Sequence, residues 1–133
     1  MGISLALLYM GLLALGSAMT PGVGMAGSLL ALCPPELTNY SHMPAYGLLT
    51  WLLLTGLKQG GCSERIALRL AMAAAMIFGI CMEVMQGFVP GRVVDGGDVL
   101  FNMMGIGLTP LIIRSAPERR AYAYAERSLA QLK

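Results

Sequence analysis

Four long apolar runs, separated by short polar segments, dominate the pattern of hydrophobic and polar positions. They cover residues 3–20, 42–57, 66–89 and 99–113. At a helical rise of about 1.5 Å per residue, such runs cross, or nearly cross, a hydrocarbon layer of about 30 Å. The pattern therefore predicts an all-α membrane protein, with a small bundle of four transmembrane helices formed by residues 1–115.

The composition supports this class. Of the 133 residues, 56% are hydrophobic and 12% are charged, and the mean hydropathy is +0.68, which is far from the values of an average soluble domain. The net charge of +2 and the absence of a recognisable motif give no reason to expect nucleic acid as a partner. Cys33, Cys62 and Cys81 have no CxxC spacing, so we predict neither a disulfide framework nor a metal site, and no cofactor.

The segments between the runs suggest turns and one short helix. No Lys or Arg precedes the first run, so we expect a retained span rather than a secretory signal, although Gly16-Ser17-Ala18 resembles a cleavage site. Thr-Pro-Gly at 20–22 ends this span, and residues 23–32 are apolar enough for a short interfacial helix. The second span is expected to begin at His42, with Pro44 in its first turn.

The later boundaries follow from Pro, Gly and capping residues. Pro90-Gly91 stops the third span, and Asp98 is expected to cap the fourth. Residues 115–118, Ser-Ala-Pro-Glu, have the form of a capping box. We therefore predict that residues 116–133 form a basic amphipathic juxtamembrane tail helix.

Small and polar residues recur on single helix faces. Ala71, Ala75, Gly79, Glu83 and Gly87 repeat every four residues, a spacing that lets helices approach closely. A second stripe holds His42, Tyr46 and Thr50, and a third holds Asp98, Asn102, Gly105 and Thr109. We expect all three stripes to face the interior of the bundle.

The basic residues predict the orientation. Eight of the nine lie at one end of the spans, namely Lys58, Arg65, Arg69, Arg114, Arg119, Arg120, Arg127 and Lys133. By the positive-inside tendency that end and both termini are cytoplasmic.

The side chains able to do chemistry then gather at the opposite, extracytoplasmic end. Glu83 and Gln86 would lie roughly 10 Å and 6 Å below Pro90, and Asn102 about as deep as Gln86. Carboxylates and amides at membrane depth are costly unless they face protein or a wet cavity. The candidate ligand-binding residues are His42, Tyr46, Glu83, Gln86, Arg92, Asp95, Asp98 and Asn102.

These residues also carry a resemblance to a known family. The order of His42 and Tyr46, then Glu83-x-x-Gln86 with Pro90-Gly91-Arg92, then Asp98-x-x-x-Asn102-x-x-Gly105, is similar to that of the VanZ-like family of small bacterial integral membrane proteins. The likeness covers residues 38–111. This sequence departs from the family pattern at one place. The family usually has Asp-Lys four and three residues before the histidine, and this sequence has Thr38 and Asn39 there. The resemblance implies a multi-pass protein of the bacterial inner membrane and a link to glycopeptide resistance, without fixing a reaction.

Each candidate also has a purely structural interpretation. Asp98 can be a helix cap, and Arg92 can close the turn as an ion pair with Asp95 or Asp98. Gln86 and Asn102 can hydrogen-bond across two helices. Glu83 can be protonated, or can pair with His42 or Arg92. His42 itself can be a hydrogen-bonded structural histidine.

Two functional hypotheses follow. In the first, Arg92 pairs with the phosphate of a lipid headgroup or lipid-linked envelope intermediate, His42 and Asn102 add hydrogen bonds, and Glu83 and Gln86 hold the pocket open. In the second, the protein is an accessory or scaffolding subunit that docks on a larger membrane complex. No nucleophile motif such as GxSxG is present, and we do not base a catalysed reaction on Glu83 and His42 as acid and base.

Overall fold

The computed structural model describes residues 2–92 and 95–115, and these residues form an all-α structure. The helices are α1 (Gly2–Ala18), α2 (Gly24–Ala31), α3 (Pro35–Gln59), α4 (Glu64–Gln86) and α5 (Gly96–Ser115). The tail helix expected over residues 116–133 lies outside the described residues.

The start of the second span differs from the prediction. Helix α3 begins at Pro35, about two turns before His42. Pro34-Pro35 opens the helix rather than breaking the chain, because a proline in the first turn lacks only an N–H that would have no helical partner. Pro44, placed by the prediction in the first turn, instead lies in the interior of α3.

The capping prediction for the last span is also wrong. Helix α5 starts at Gly96, so Asp98 lies inside its first turn. The residue that caps is Asp95, whose Oδ1 accepts a hydrogen bond of 2.8 Å from the Gly97 N–H. Asp98 is thereby available for a contact with another helix.

Two of the described helices, α4 and α5, are long and apolar enough to cross a membrane, and α1 is a shorter apolar helix. Helix α3 is longer than any of them but carries more polar residues near its start. The arrangement of four crossings with both termini on the cytoplasmic side stays a prediction.

Helix α3 lies at the centre and contacts α1, α4 and α5. It is antiparallel to α1, because the Gly2 N–H donates to Oε1 of Gln59 at 3.0 Å while the Tyr9 hydroxyl donates to the Ala45 carbonyl at 3.3 Å. It is parallel to α5, whose Thr109 hydroxyl donates to the Gly47 carbonyl at 3.1 Å.

Small residues allow these close contacts. A Cβ at Gly105 would clash with the carbonyl oxygen of Met43, so only glycine lets α5 lie this close to α3. On α4, Ala71, Ala75, Gly79 and Glu83 are buried as the stripe predicted, whereas Gly87 is exposed. The polar stripes are buried too, with Tyr46, Thr50, Asn102 and Thr109 each at most 5% exposed.

Because of the helix directions, most of the described basic residues lie at one end of the bundle and the polar site residues lie at the other. Lys58, Arg65 and Arg114 lie at one end, called here the basic end. His42, Gln86 and Asn102 lie at the other, called here the polar end. Arg69 belongs to α4, and Arg92 follows α4. The other four basic residues of the chain lie within residues 116–133, outside the described part.

Candidate functional site

A cavity of about 220 Å³ opens at the polar end between α1, α3 and the end of α4. Its lining is Leu12, Leu13, Gly16, Ser17, Thr38, Ser41, His42, Ala45, Tyr46, Gln86 and Arg92. Among these described lining residues Arg92 is the one with a permanent charge, and none is a carboxylate. Most of the lining surface is apolar, and its polar groups are several hydroxyls, the Gln86 amide, the His42 ring and the positively charged Arg92 guanidinium.

His42 forms one wall of the cavity but directs its ring nitrogens to α5. Nδ1 lies 3.0 Å from Oδ1 of Asn102, and Nε2 lies 3.7 Å from Oδ2 of Asp98. The His42 ring is also parallel to the Tyr46 ring, with centroids 6.2 Å apart. These contacts fix the orientation of the imidazole.

Glu83 lies behind the cavity and is 4% exposed. Its Oε1 accepts a hydrogen bond of 2.8 Å from the backbone N–H of Asp95. The carboxylate thus joins the end of α4 to the start of α5. Among the described residues it makes no ion pair with His42 or Arg92, so the two pairings considered from the sequence are not formed.

Asp95 connects the same turn to α3. Besides capping α5 through Oδ1, its Oδ2 accepts a hydrogen bond of 3.3 Å from Nδ2 of Asn39. Together with the Glu83 contact, this holds the segment between α4 and α5 against the beginning of α3.

Arg92 reaches α1 rather than a carboxylate. Its Nε donates to the Met19 carbonyl at 3.4 Å, and one terminal nitrogen donates to the Gly16 carbonyl at 3.3 Å. The Gly16 carbonyl also accepts from the Met19 N–H at 3.3 Å, so Arg92 is a second donor there. A cation at the end of a helix is favoured by the helix dipole. The ion pair with Asp95 or Asp98 considered from the sequence is not formed among the described residues. The guanidinium has five N–H groups, and these long contacts engage only part of it.

Gly79 of α4 makes room for two of the site side chains. A Cβ at this position would lie 3.0 Å from Cε1 of Tyr46 and 3.2 Å from Nδ2 of Asn102. The four-residue stripe of small side chains therefore ends in a notch that receives a cavity residue and the amide that binds His42.

The structure divides the predicted site residues into two groups. His42, Tyr46, Gln86 and Arg92 line the cavity. Glu83, Asp95, Asp98 and Asn102 lie behind it, where they connect α3, α4 and α5. The cross-helix hydrogen bond between Gln86 and Asn102, one of the structural interpretations, is not found among the described residues, and Asn102 contacts His42 instead.

Three hydroxyl residues of the lining were not predicted from the sequence: Ser17, Thr38 and Ser41. Thr38 precedes His42 by four residues, so the stripe of His42 and Tyr46 would have included it had the helix been extended toward Pro35. Ser17 gives no such signal, because its position depends on how α1 packs against α3.

This arrangement is suited to binding. The lining supplies a guanidinium, hydroxyl groups and an amide, whereas both nitrogens of His42 face α5 and Glu83 does not reach the cavity. A phosphate group is recognised by such donors, above all by arginine.

Fold and site together define a small all-helical protein with membrane-like helices and a cavity at its polar end. A family model, VanZ/LLP1, matches residues 5–116, and the chain belongs to this VanZ/LLP1 family. The resemblance found from the residues alone is thus confirmed. No curated protein and no solved structure matches the chain.

Proposed function

We propose that this protein lies in the bacterial inner membrane and binds, in the cavity at its polar end, the phosphate of an anionic lipid headgroup or lipid-linked envelope intermediate. The observation that supports this most is the charge of the cavity, whose described lining has the Arg92 guanidinium and no carboxylate. The cavity also lies at the end of α4, a helix long and apolar enough to cross a membrane, and this supports a site at the depth of lipid headgroups.

To bind a phosphate, Arg92 would exchange its present backbone acceptors for phosphate oxygens. Arg92 donates two long hydrogen bonds, of 3.3 and 3.4 Å, to carbonyls at the end of α1 and just after it. A phosphate offers charged acceptors in the bidentate geometry that a guanidinium prefers, and charge-assisted bonds are roughly twice as strong as neutral ones. The Ser17 hydroxyl would add a donor, and the Thr38 hydroxyl would do so by turning from the Pro34 carbonyl, to which it donates at 3.4 Å.

The size of the cavity favours a small headgroup. Pockets for drug-sized ligands occupy about 300–1,000 Å³, and this one measures about 220 Å³. A phosphate with a short polyol or the phosphate of a polyprenyl carrier suits that volume better than a large saccharide, which would have to extend into water.

The test is the lipid that stays bound through gentle purification. Mass spectrometry of the wild type is expected to detect a retained anionic lipid, such as phosphatidylglycerol or a polyprenyl phosphate. Arg92→Gln should lose one such lipid per chain while keeping its helical content, and Arg92→Lys should keep part of the binding. Arg69→Gln, at the other end of the bundle, is the matched control. An unchanged lipid content in Arg92→Gln contradicts the proposal.

The alternative of an accessory subunit is favoured by one observation. An apolar groove of about 350 Å³ runs between α3 and α5, with Leu48, Trp51, Leu108 and Ile112 in its walls. A helix of a larger membrane complex would fit there. Extraction in mild detergent would then recover a stoichiometric partner, and a homogeneous monomer counts against this alternative.

A further inference from the structure

A second cavity lies at the basic end of the bundle, at the other end from the first. It measures about 250 Å³ and is formed where α3, α4 and α5 meet. Arg65 of α4 and Arg114 of α5 both line it, although they are far apart in the chain. The packing of α4 and α5 thus brings two arginines to the lining of one cavity.

The charge of this second cavity is positive. The one carboxylate in its lining is Glu64, and Lys58 Nζ lies 3.6 Å from its Oε2. Neither Arg65 nor Arg114 forms an ion pair with another described residue. The two guanidinium groups are therefore not neutralised within the part of the chain that the structure describes.

The other wall of the cavity is apolar. Leu54, Leu68 and Ile113 line it together with Pro110. A free anion would gain nothing from these side chains, whereas an amphiphile would place its charged group at the arginines and its first methylene groups on the leucines.

From this combination we propose that the second cavity binds an anionic phospholipid, with the phosphate between Arg65 and Arg114 and the glycerol and upper acyl chain against the apolar wall. This site is independent of the function proposed for the polar end, since the two cavities share no residue. A bundle with both sites would hold one lipid at each end.

The experiment titrates phosphatidylglycerol, with phosphatidylcholine for comparison, onto the delipidated full chain in detergent, followed by native mass spectrometry. The double variant with Arg65→Gln and Arg114→Gln is expected to bind phosphatidylglycerol at least about tenfold more weakly, since bonds to charged groups are the strong ones. Arg69→Gln is the matched control, because Arg69 belongs to α4 and to the same end but does not line the cavity. If the double variant does not fold, each single variant should show an intermediate loss.

Three results would overturn this proposal. If Arg69→Gln weakened phosphatidylglycerol binding as much as the double variant does, the lipid would be attracted by the overall positive charge of this end and not by the cavity. Unchanged affinity in the double variant would mean that the arginines do not bind it. Displacement of the lipid by inorganic phosphate at the lipid's own concentration would mean that the apolar wall contributes nothing. In Arg92→Gln, by contrast, this second lipid should remain, so failure of one site can be told from failure of the other.

Discussion

His42 of α3 and Asn102 of α5 share a contact of 3.0 Å between Nδ1 and Oδ1. Because a carbonyl oxygen only accepts hydrogen bonds, this contact is a hydrogen bond in the tautomer that carries its proton on Nδ1. The other ring nitrogen lies 3.7 Å from the Asp98 carboxylate. The imidazole therefore connects two parallel helices, α3 and α5. The part of the ring that lines the cavity is a carbon edge, because both nitrogens face α5.

The first prediction concerns this connection. Asn102→Leu removes the acceptor and leaves the partly buried Nδ1–H without a partner, which should lower stability by about 1–3 kcal/mol. Thermal unfolding in detergent measures the loss. Met103→Leu, at the next position and 47% exposed, is the control. Equal thermal unfolding midpoints for Asn102→Leu and Met103→Leu would show that the contact with His42 does not stabilise the bundle.

The second prediction concerns the notch at Gly79. Gly79→Ala places a methyl group 3.0 Å from the Tyr46 ring, and overpacking of this kind costs about 1–3 kcal/mol. We expect lower stability and weaker retention of the lipid at the polar end, because Tyr46 lines that cavity. Gly107→Ala is the matched control, since a Cβ there meets nothing within 4 Å and alanine favours a helix. A Gly79→Ala variant as stable as Gly107→Ala contradicts the packing described.

The third prediction separates the charge of Glu83 from its hydrogen bond. Its Oε1 accepts from the Asp95 N–H at 2.8 Å, and a glutamine side chain can accept in the same way. Glu83→Gln should therefore be expressed and fold nearly as the wild type, while Glu83→Ala should be expressed poorly. If both variants fail alike, the negative charge itself is required at this position.

The fourth prediction uses native cysteines to test orientation. Cys33, between α2 and α3, is exposed at the polar end, and Cys62 lies in the turn between α3 and α4 at the basic end. A membrane-impermeant maleimide added to intact spheroplasts should label Cys33, and should label Cys62 only after permeabilisation. Cys33→Ser and Cys62→Ser variants assign the signal. The reverse pattern would invert the predicted topology and put the Arg92 cavity on the cytoplasmic side.

Much of the helix packing could be predicted from the sequence because it follows local periodicity. The four-residue spacing of Ala71, Ala75 and Gly79 identified the buried face of α4, and the spacing of Asn102 and Thr109 identified that of α5. Such faces depend only on the geometry of one helix.

The contacts of individual side chains could not be predicted in this way. Arg92 binds carbonyls of α1, 73 and 76 residues away in the chain, and no local pattern specifies that neighbour. The exchange of Asp98 for Asp95 as the helix cap came from a shift of the α5 start by a few residues. The acid that lies near His42 is Asp98, whereas the sequence had suggested Glu83 as a pairing partner.

The central claim is that the polar-end cavity receives a phosphate at Arg92, and an experimental structure of the protein in nanodiscs containing phosphatidylglycerol tests it most directly. We expect density for a phosphate in the cavity within hydrogen-bond distance of the Arg92 guanidinium, close to Ser17 and Thr38. A cavity that holds only water, with Arg92 still bound to the Gly16 and Met19 carbonyls, would contradict the claim.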